Sequence, residues 1–250
     1  MISVTILTKN CGRCLGRTLE SASSFDEVII LDTGSTDDTL EVAKSFPNVT
    51  IHHSPFIGFG PSHNLATSLA KNDWILSIDS DEILSPPLIE EIQSLSLSTK
   101  AVYSIQRHNY FNGKHIKWCG GWHPDWVARL YHRKQTKFND AMVHEKILIN
   151  GLKVIALKNS MIHVPYREMN DFLHKMQAYT TLFAQHKKGK SSLLKAILHS
   201  KFAFFKSYVL KRGFLGGKEG YIISSYNAHT AFYKYLKLSE KESLFAESEE

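Results

Sequence analysis

The chain has 250 residues, enough for one large domain or two small ones with a sizeable core, and its ordinary composition, 43% hydrophobic and 22% charged, excludes extensive disorder. A formal charge of +6 and an isoelectric point near 9.1 favour a polyanionic partner; nucleotide, nucleic acid and anionic membrane all fit. Met1–Leu7 lacks the charged flank and apolar length of a signal peptide, and no stretch is apolar enough for long enough to cross a bilayer. Three cysteines suit a reducing compartment, so a cytoplasmic, non-integral protein is expected.

The first hundred residues alternate strand and helix patterns. Ile2–Leu7, Val28–Leu31, Val49–His53 and Trp74–Ile78 read as strands; Leu15–Ser23, Asp38–Lys44, Ser62–Lys71 and the stretch from Pro86-Pro87 to Leu95 read as helices. Ser35 or Thr36 is a candidate cap for the second helix. Such alternation predicts an α/β fold with a mostly parallel sheet, in which ligands bind beyond the carboxyl ends of the strands. From Ala101 to Val164 short β-like runs (Ala101–Gln106, Val127–Tyr131, Lys146–Ile149, Val154–Leu157) alternate with loops rich in Gly, His, Asn and Trp. After Pro165 the pattern turns helical, with helices expected around Met169–Phe183, Ser192–Lys211 and Glu219–Leu236 and a fraying acidic tail over Ser239–Glu250. The expected organisation is 1–165 as one domain, divided into 1–100 and 101–165, followed by a helical extension over 166–250.

Asp79-Ser80-Asp81 directly follows an apolar strand, so both carboxylates sit at a strand's carboxyl end. Carboxylate and phosphate oxygens together suit Mg²⁺ or Mn²⁺, which would neutralise charge developing on a leaving diphosphate. A solvated acidic turn with Glu82 as its third member has the same sequence. Asp32 ends the second strand and precedes Thr33-Gly34-Ser35-Thr36; it could accept a hydrogen bond from a base or ribose, or belong to a helix-capping loop.

Four segments in order, "ILTKN", "EVIILDTGSTDDTLEVAK", "HNLATSLAKNDWILSIDSDEIL" and "MVHEKI", resemble successive motifs of the family 2 glycosyltransferases of GT-A fold. The resemblance covers roughly residues 2–165, and more narrowly is to the bacterial branch that adds glucose to the lipopolysaccharide inner core. It implies a GT-A-type domain and inverting transfer of a hexose, glucose from UDP-glucose, to a core heptose. It implies Asp32 at the nucleotide base, Asp79 at the ribose, Asp81 on the Mg²⁺ or Mn²⁺ ion, Thr8 and Asn10 lining the nucleotide pocket, and Arg129 at the diphosphate. Inverting displacement needs a base for the acceptor hydroxyl, and Glu145 matches the acidic position of the related enzymes. Many of them carry Glu-Asp where this chain has His144-Glu145, so His144 is a further candidate to orient Glu145, bind phosphate or act as the base. The family also usually has a basic residue where this chain has His63.

Trp122 and Asp125, in the aromatic loop Gly120–Trp126, could meet sugar surfaces and hydroxyls; a Trp clamping the loop to the core is the alternative. Cys11-Gly12-Arg13-Cys14 has redox-motif spacing, but no other redox feature accompanies it, and structural cysteines are expected. The thirteen histidines show no metalloprotease spacing and read mostly as polar surface or core-edge residues. Lys187–Arg212 is a basic, aromatic-rich stretch that reads as an interfacial element on the anionic inner membrane or as an ordinary packed helix, with Lys201 interrupting its apolar arc. A non-catalytic nucleotide- or polyanion-binding module of the same fold is the rival function, and nucleic acid finds no recognisable motif.

Overall fold

The computed structural model describes residues 1–142, 145–187 and 189–246. The chain forms two compact units: Met1–His108 with Asp125–His163, and Asn109–Pro124 with the chain from Val164 onward. The second unit thus takes in a segment, 109–124, that sequence texture alone assigned to the first domain.

In the first unit β1 (Ile2–Thr8), β2 (Glu27–Asp32), β3 (Val49–His53) and β4 (Trp74–Asp79) run parallel in the order β3-β2-β1-β4. β2 is buried at all six positions, as a strand covered on both faces must be. Alternation then sorts the sheet's side chains. Val4, Ile6, Val28, Ile30, Leu76 and Ile78 join one core cluster; Ile29 and Ile75 join another, with Val102, Tyr131 and Phe138. Helices α1 (Gly12–Ser21), α2 (Thr39–Lys44), α3 (Phe59–Ser68) and α4 (Pro86–Ser94) connect the early strands. Ser85 caps α4, its hydroxyl accepting from the Leu88 N–H at 3.3 Å. No side chain caps α2, whose N-cap position is Asp38; Ser35 and Thr36 turn back to bond Asp32 and Asn10 instead.

Beyond β4 the sheet continues through β8 (Asp125–His132), β6 (Ala101–Phe111), β9 (Lys153–His163) and β5 (Glu82–Leu84), with β4–β8, β8–β6 and β9–β5 paired antiparallel. The run Lys146–Ile149 forms no strand; it makes a single bridge, Phe138 to Ile147. Glu82–Leu84 is too short for sequence periodicity to reveal, yet it pairs with the end of β9.

The segment that carries Glu145 is held by α3. The Asn64 amide donates to the Phe138 carbonyl at 3.0 Å and accepts from the Phe138 N–H at 2.9 Å. The N–H groups of Phe59 and Gly60 donate to the carbonyls of Met142 and Ala141. Because α3 starts shortly after β3, this contact lies at the carboxyl ends of the parallel strands.

The second unit packs Phe111, Ile116, Cys119, Phe172 and Ile223 together. It contains β7 (Lys114–His115), which pairs with the end of β6, and α5 (Met169–His186). α6 (Leu193–Phe205) continues as a π turn over Lys206–Leu210, then a 3-10 turn over Gly213–Gly216, and α7 (Lys218–Ala246) follows. The expected frayed tail is helical as far as Ala246. Among the described residues no helix is long and apolar enough to cross a membrane.

Gly60 has its role fixed by space: a Cβ there would lie 1.8 Å from the Asn139 carbonyl oxygen. Gly60→Ala should destabilise the protein by about 1–3 kcal/mol in urea titrations, the cost of forced overpacking. It should also speed amide exchange in residues 139–147; unchanged exchange there would show that α3 does not hold the segment.

Candidate active site

Strand register brings the candidate residues together. Thr8 pairs with Asp32, Asp32 with His53, and Leu7 with Asp79, so Thr8, Asp32, His53 and Asp79 share the carboxyl edge of the parallel strands. Asp32 is buried and organises the loop after it. Its Oδ2 accepts from the N–H groups of Gly34 and Ser35, both at 3.1 Å, and its Oδ1 from the hydroxyls of Ser35 and Thr8 at 2.5 and 3.2 Å. Burial alone would raise this carboxyl, but the bonds from Ser35, Gly34 and Thr8 hold it below the usual carboxylate range. Asn10, in the left-handed region at φ 51°, accepts from the Thr36 N–H at 2.8 Å and fastens the far end of the same loop.

Asp79 and Glu82 surround Arg129. The Arg129 Nη2 donates to Asp79 Oδ2 and, at 2.5 Å, to Glu82 Oε1. Arg107 completes the cluster, donating to Glu82 Oε1 at 3.1 Å and to Asp125 Oδ2 at 2.8 Å. Glu82 also accepts the Asp79 N–H at 2.9 Å and is fully buried, so the solvated acidic turn is excluded. Burial alone would raise the Asp79 carboxyl; the Arg129 guanidinium outweighs it and holds the group well below the ordinary range. Asp79 Oδ1 takes no hydrogen bond among the described residues, and the side chain is 36% exposed, so this oxygen can accept from a ligand.

Asp81 points elsewhere. Its Oδ1 lies 3.5 Å from Nε2 of His163, the residue of β9 that pairs with Glu82. A carboxylate oxygen beside an imidazole nitrogen, both partly exposed, is a chemically suitable donor pair for a divalent cation whose other ligands are water and phosphate oxygens. Two guanidiniums against the carboxylates of Asp79, Asp81, Glu82 and Asp125 leave this region a formal charge of −2, which such a cation would neutralise. His163 is thus set apart from the polar surface histidines. Its one sequence signal was its place at the end of an apolar run, which strand pairing with Glu82 makes meaningful.

Several candidates stand differently from expectation. Arg129 is buried and committed to Asp79 and Glu82 instead of facing a diphosphate. Asp125 is committed to Arg107. Trp122 belongs to the second unit, where its ring stacks on Tyr166 at 5.8 Å in the manner of a packing clamp. Glu145 is half-buried and its carboxylate has no hydrogen bond or ion pair among the described residues; His144 lies outside them. Cys11 and Cys14 are free thiols, and the Cys11 N–H donates to Thr39 at 2.8 Å, a packing role.

The Glycosyl transferase family 2 model matches residues 3–152. The chain belongs to glycosyltransferase family 2. An uncharacterized glycosyltransferase of Rickettsia prowazekii is 28% identical over 258 residues, covering 96% of this chain and 87% of that one. The lipopolysaccharide core biosynthesis glycosyltransferase LpsC of Rhizobium meliloti is 25% identical over 260 residues, with 98% and 94% covered. A mannosyltransferase of Pyrobaculum calidifontis, solved with GDP-Man and Mn²⁺, superposes with a TM-score of 0.50 at 15% identity over 98% of this chain and 87% of that one. S. aureus TarS 1-349 with UDP-GlcNAc does so with the same score and identity over 97% and 91%. These likenesses establish the GT-A fold of this glycosyltransferase.

His63, where the family usually has a basic residue, is buried in α3. Its Nδ1 lies 3.1 Å from the Ser77 hydroxyl and its ring stacks on Phe138 at 4.4 Å. Burial is the main cause that lowers it, from 6.5 to about 4, so it is neutral at physiological pH. The unfolded chain therefore binds this proton first. Stability is retained above pH 6.5, falls as pH drops from 6.5 toward 4, and loses about 3 kcal/mol in total, since one pKa unit is about 1.4 kcal/mol. Urea denaturation across that window should show this slope in the wild-type protein and a much flatter one in His63→Asn, whatever the variant's absolute stability.

Proposed function

We propose that the protein transfers a hexose with inversion, glucose from UDP-glucose, to a heptose of the lipopolysaccharide inner core. The work would be done at the cytoplasmic face of the inner membrane. The observation that carries this reading is the convergence of Thr8, Asp32 and Asp79 on one sheet edge, with Asp81 paired to His163 just beyond it. The core biosynthesis relative LpsC supports the acceptor class, and neighbours of the same fold solved with UDP-GlcNAc or GDP-Man support a nucleotide-sugar donor.

Thr8 and Asn10 line the nucleotide pocket by holding the Thr33–Thr36 loop. Asp32 receives the base at its Oδ1 by exchanging the Ser35 hydroxyl bond for a ring N–H. Asp79 accepts a ribose hydroxyl at Oδ1, its other oxygen being pinned by Arg129. Asp81 and His163 would hold a divalent cation, which would supply charge neutralisation for the leaving diphosphate. The neighbour solved with Mn²⁺ supports such an ion, and an imidazole donor favours manganese over magnesium.

Glu145 is the general base. The acceptor hydroxyl oxygen attacks the anomeric carbon from the face opposite the nucleotide, and the bond from that carbon to the diphosphate oxygen breaks with its electron pair. The hydroxyl proton passes to the Glu145 carboxylate, giving a β-glycoside from an α-linked donor. Of the competing carboxylates Asp125 and Asp140, the first is occupied by Arg107, whereas that of Glu145 has no partner among the described residues and sits in the family's motif.

Purified protein incubated with a panel of nucleotide sugars, Mn²⁺ and truncated core acceptors tests the reading, with transfer expected from UDP-glucose alone. Glu145→Gln should lower kcat roughly 10²–10⁴-fold, the usual worth of a general base, and leave the donor KM nearly unchanged. Near-normal turnover would move the role to Asp125, Asp140 or His144. Asp81→Ala should abolish the Mn²⁺ dependence of UDP binding in calorimetric titrations while the protein stays folded; undiminished binding would sink the metal assignment.

A further inference from the structure

The second unit carries a surface that the transfer chemistry does not use. Along α6 and the π turn after it, Leu194, Leu198, Phe202, Phe205 and Val209 succeed one another at steps of four, four, three and four residues. That is the period of one helix face. All five are 45–66% exposed, and Leu193 and Leu210 at the ends of the same segment are exposed as well. The opposite face is the packed one: Ala196 and Ser207 are buried, and Ser207 bonds Ser224 and Asn227 of α7. The apolar stripe therefore has no cover among the described residues. Just past it, Phe214 and Leu215 expose a further apolar step on the 3-10 turn.

Charge identifies what covers it. Taken at about 100° per residue, Lys201 falls on one border of the stripe and Lys195 and Lys206 on the other. Lys201 interrupts the wider apolar arc: the partly buried Ile197, Phe204 and Tyr208 lie on its far side, and the exposed stripe begins on its near side. From Phe172 to Lys218 the sequence holds ten Lys or Arg and no Asp or Glu. An apolar stripe between two rows of cations, with no acidic residue across the surrounding 47 positions, matches the headgroup and upper acyl region of an anionic bilayer. A second copy of the chain would set these lysines against one another.

We infer that α6 and the two turns after it lie in the plane of an anionic phospholipid bilayer, with the Leu194–Val209 stripe inserted among the acyl chains and the lysines on the phosphates. The inference deepens the membrane part of the proposed function and rests on that reading only for which membrane is meant.

The full chain is sedimented with vesicles of phosphatidylglycerol and phosphatidylethanolamine, and with vesicles of phosphatidylcholine alone, at low and high salt. Binding is expected to the anionic vesicles, weakened by salt but not erased, because insertion adds an apolar contribution that salt does not screen. Phe202→Asp/Phe205→Asp changes two exposed side chains and should lower partitioning at least tenfold, with circular dichroism and UDP-sugar hydrolysis unchanged. Lys201→Gln/Lys206→Gln should lower it roughly 25-fold at low salt, since each surface lysine is worth about a factor of five, and little at high salt. Equal binding to neutral vesicles, a Phe202→Asp/Phe205→Asp protein that pellets like wild type, or a wild-type dimer in sedimentation velocity that this variant dissolves would each overturn the inference, the last by assigning the stripe to a second copy. Hydrolysis measured alongside keeps the two readings apart. A chain that pellets but does not turn over donor refutes the sugar-transfer reading alone, and one that turns over donor but ignores vesicles refutes this one alone.

Discussion

Arg129 stands on β8, the strand that pairs antiparallel with β4, and its guanidinium binds Asp79 at the end of β4 and Glu82 at the start of β5. Taking such ions out of water costs several kcal/mol each, recovered only when the partners are close and their remaining hydrogen-bonding groups are used. Glu82 meets that condition: one oxygen takes two guanidiniums and the other takes the Asp79 N–H. The same bonds shape the turn between β4 and β5, and Thr18 of α1 steadies it from outside through the Ser80 carbonyl at 2.8 Å. Removing one member would leave the others as buried, uncompensated charges. The turn holding both site carboxylates is therefore as rigid as the ion cluster behind it.

That rigidity separates two carboxylates that differ little in sequence. Asp79 is drawn inward by Arg129, with one oxygen left over, and Asp81 is turned outward toward His163. The chain's overall positive charge has no origin here. It comes from the segment Phe172–Lys218, and the rest of the chain is net acidic. A basic isoelectric point suggests a polyanionic partner, but the cations responsible belong to the second unit, and the candidate site in the first is electronegative.

The parallel strands were legible because each is a short apolar run bounded by polar turns, and the sheet edge followed from that topology. Asp32, Asp79 and Asp81 could be placed at strand ends for the same reason. What escaped was whatever depends on pairing between distant residues. β5 has only three residues; Glu82 reads as one more acid in a turn until Arg107 and Arg129 arrive from β6 and β8. His163 lies 82 residues from Asp81 and meets it only because β9 pairs with β5. Arg129, placed at the diphosphate by motif, is needed behind Asp79 instead, a competition between buried carboxylates that no local pattern records. The segment 109–124 belongs to the second unit because Phe111, Ile116 and Cys119 pack on Phe172 and Ile223, contacts of high sequence separation.

His63 connects these points. A residue here has Ser77 of β4 on one side, the Phe138 ring on another, and Asp79 and Arg129 close enough to act on its charge. Burial dominates; Asp79 favours a cation here and Arg129 opposes one by less, so the neighbours offset burial only in part. A neutral ring that stacks and hydrogen-bonds fits this position; a fixed positive charge would be desolvated beyond what Asp79 returns. The price is that α3 carries no permanent cation at this position, while Arg129 is already committed to Asp79 and Glu82. In the proposed reaction, neutralising the leaving group's charge would then rest on the divalent cation that Asp81 and His163 would hold, a dependence that follows from how the interior of this chain is packed.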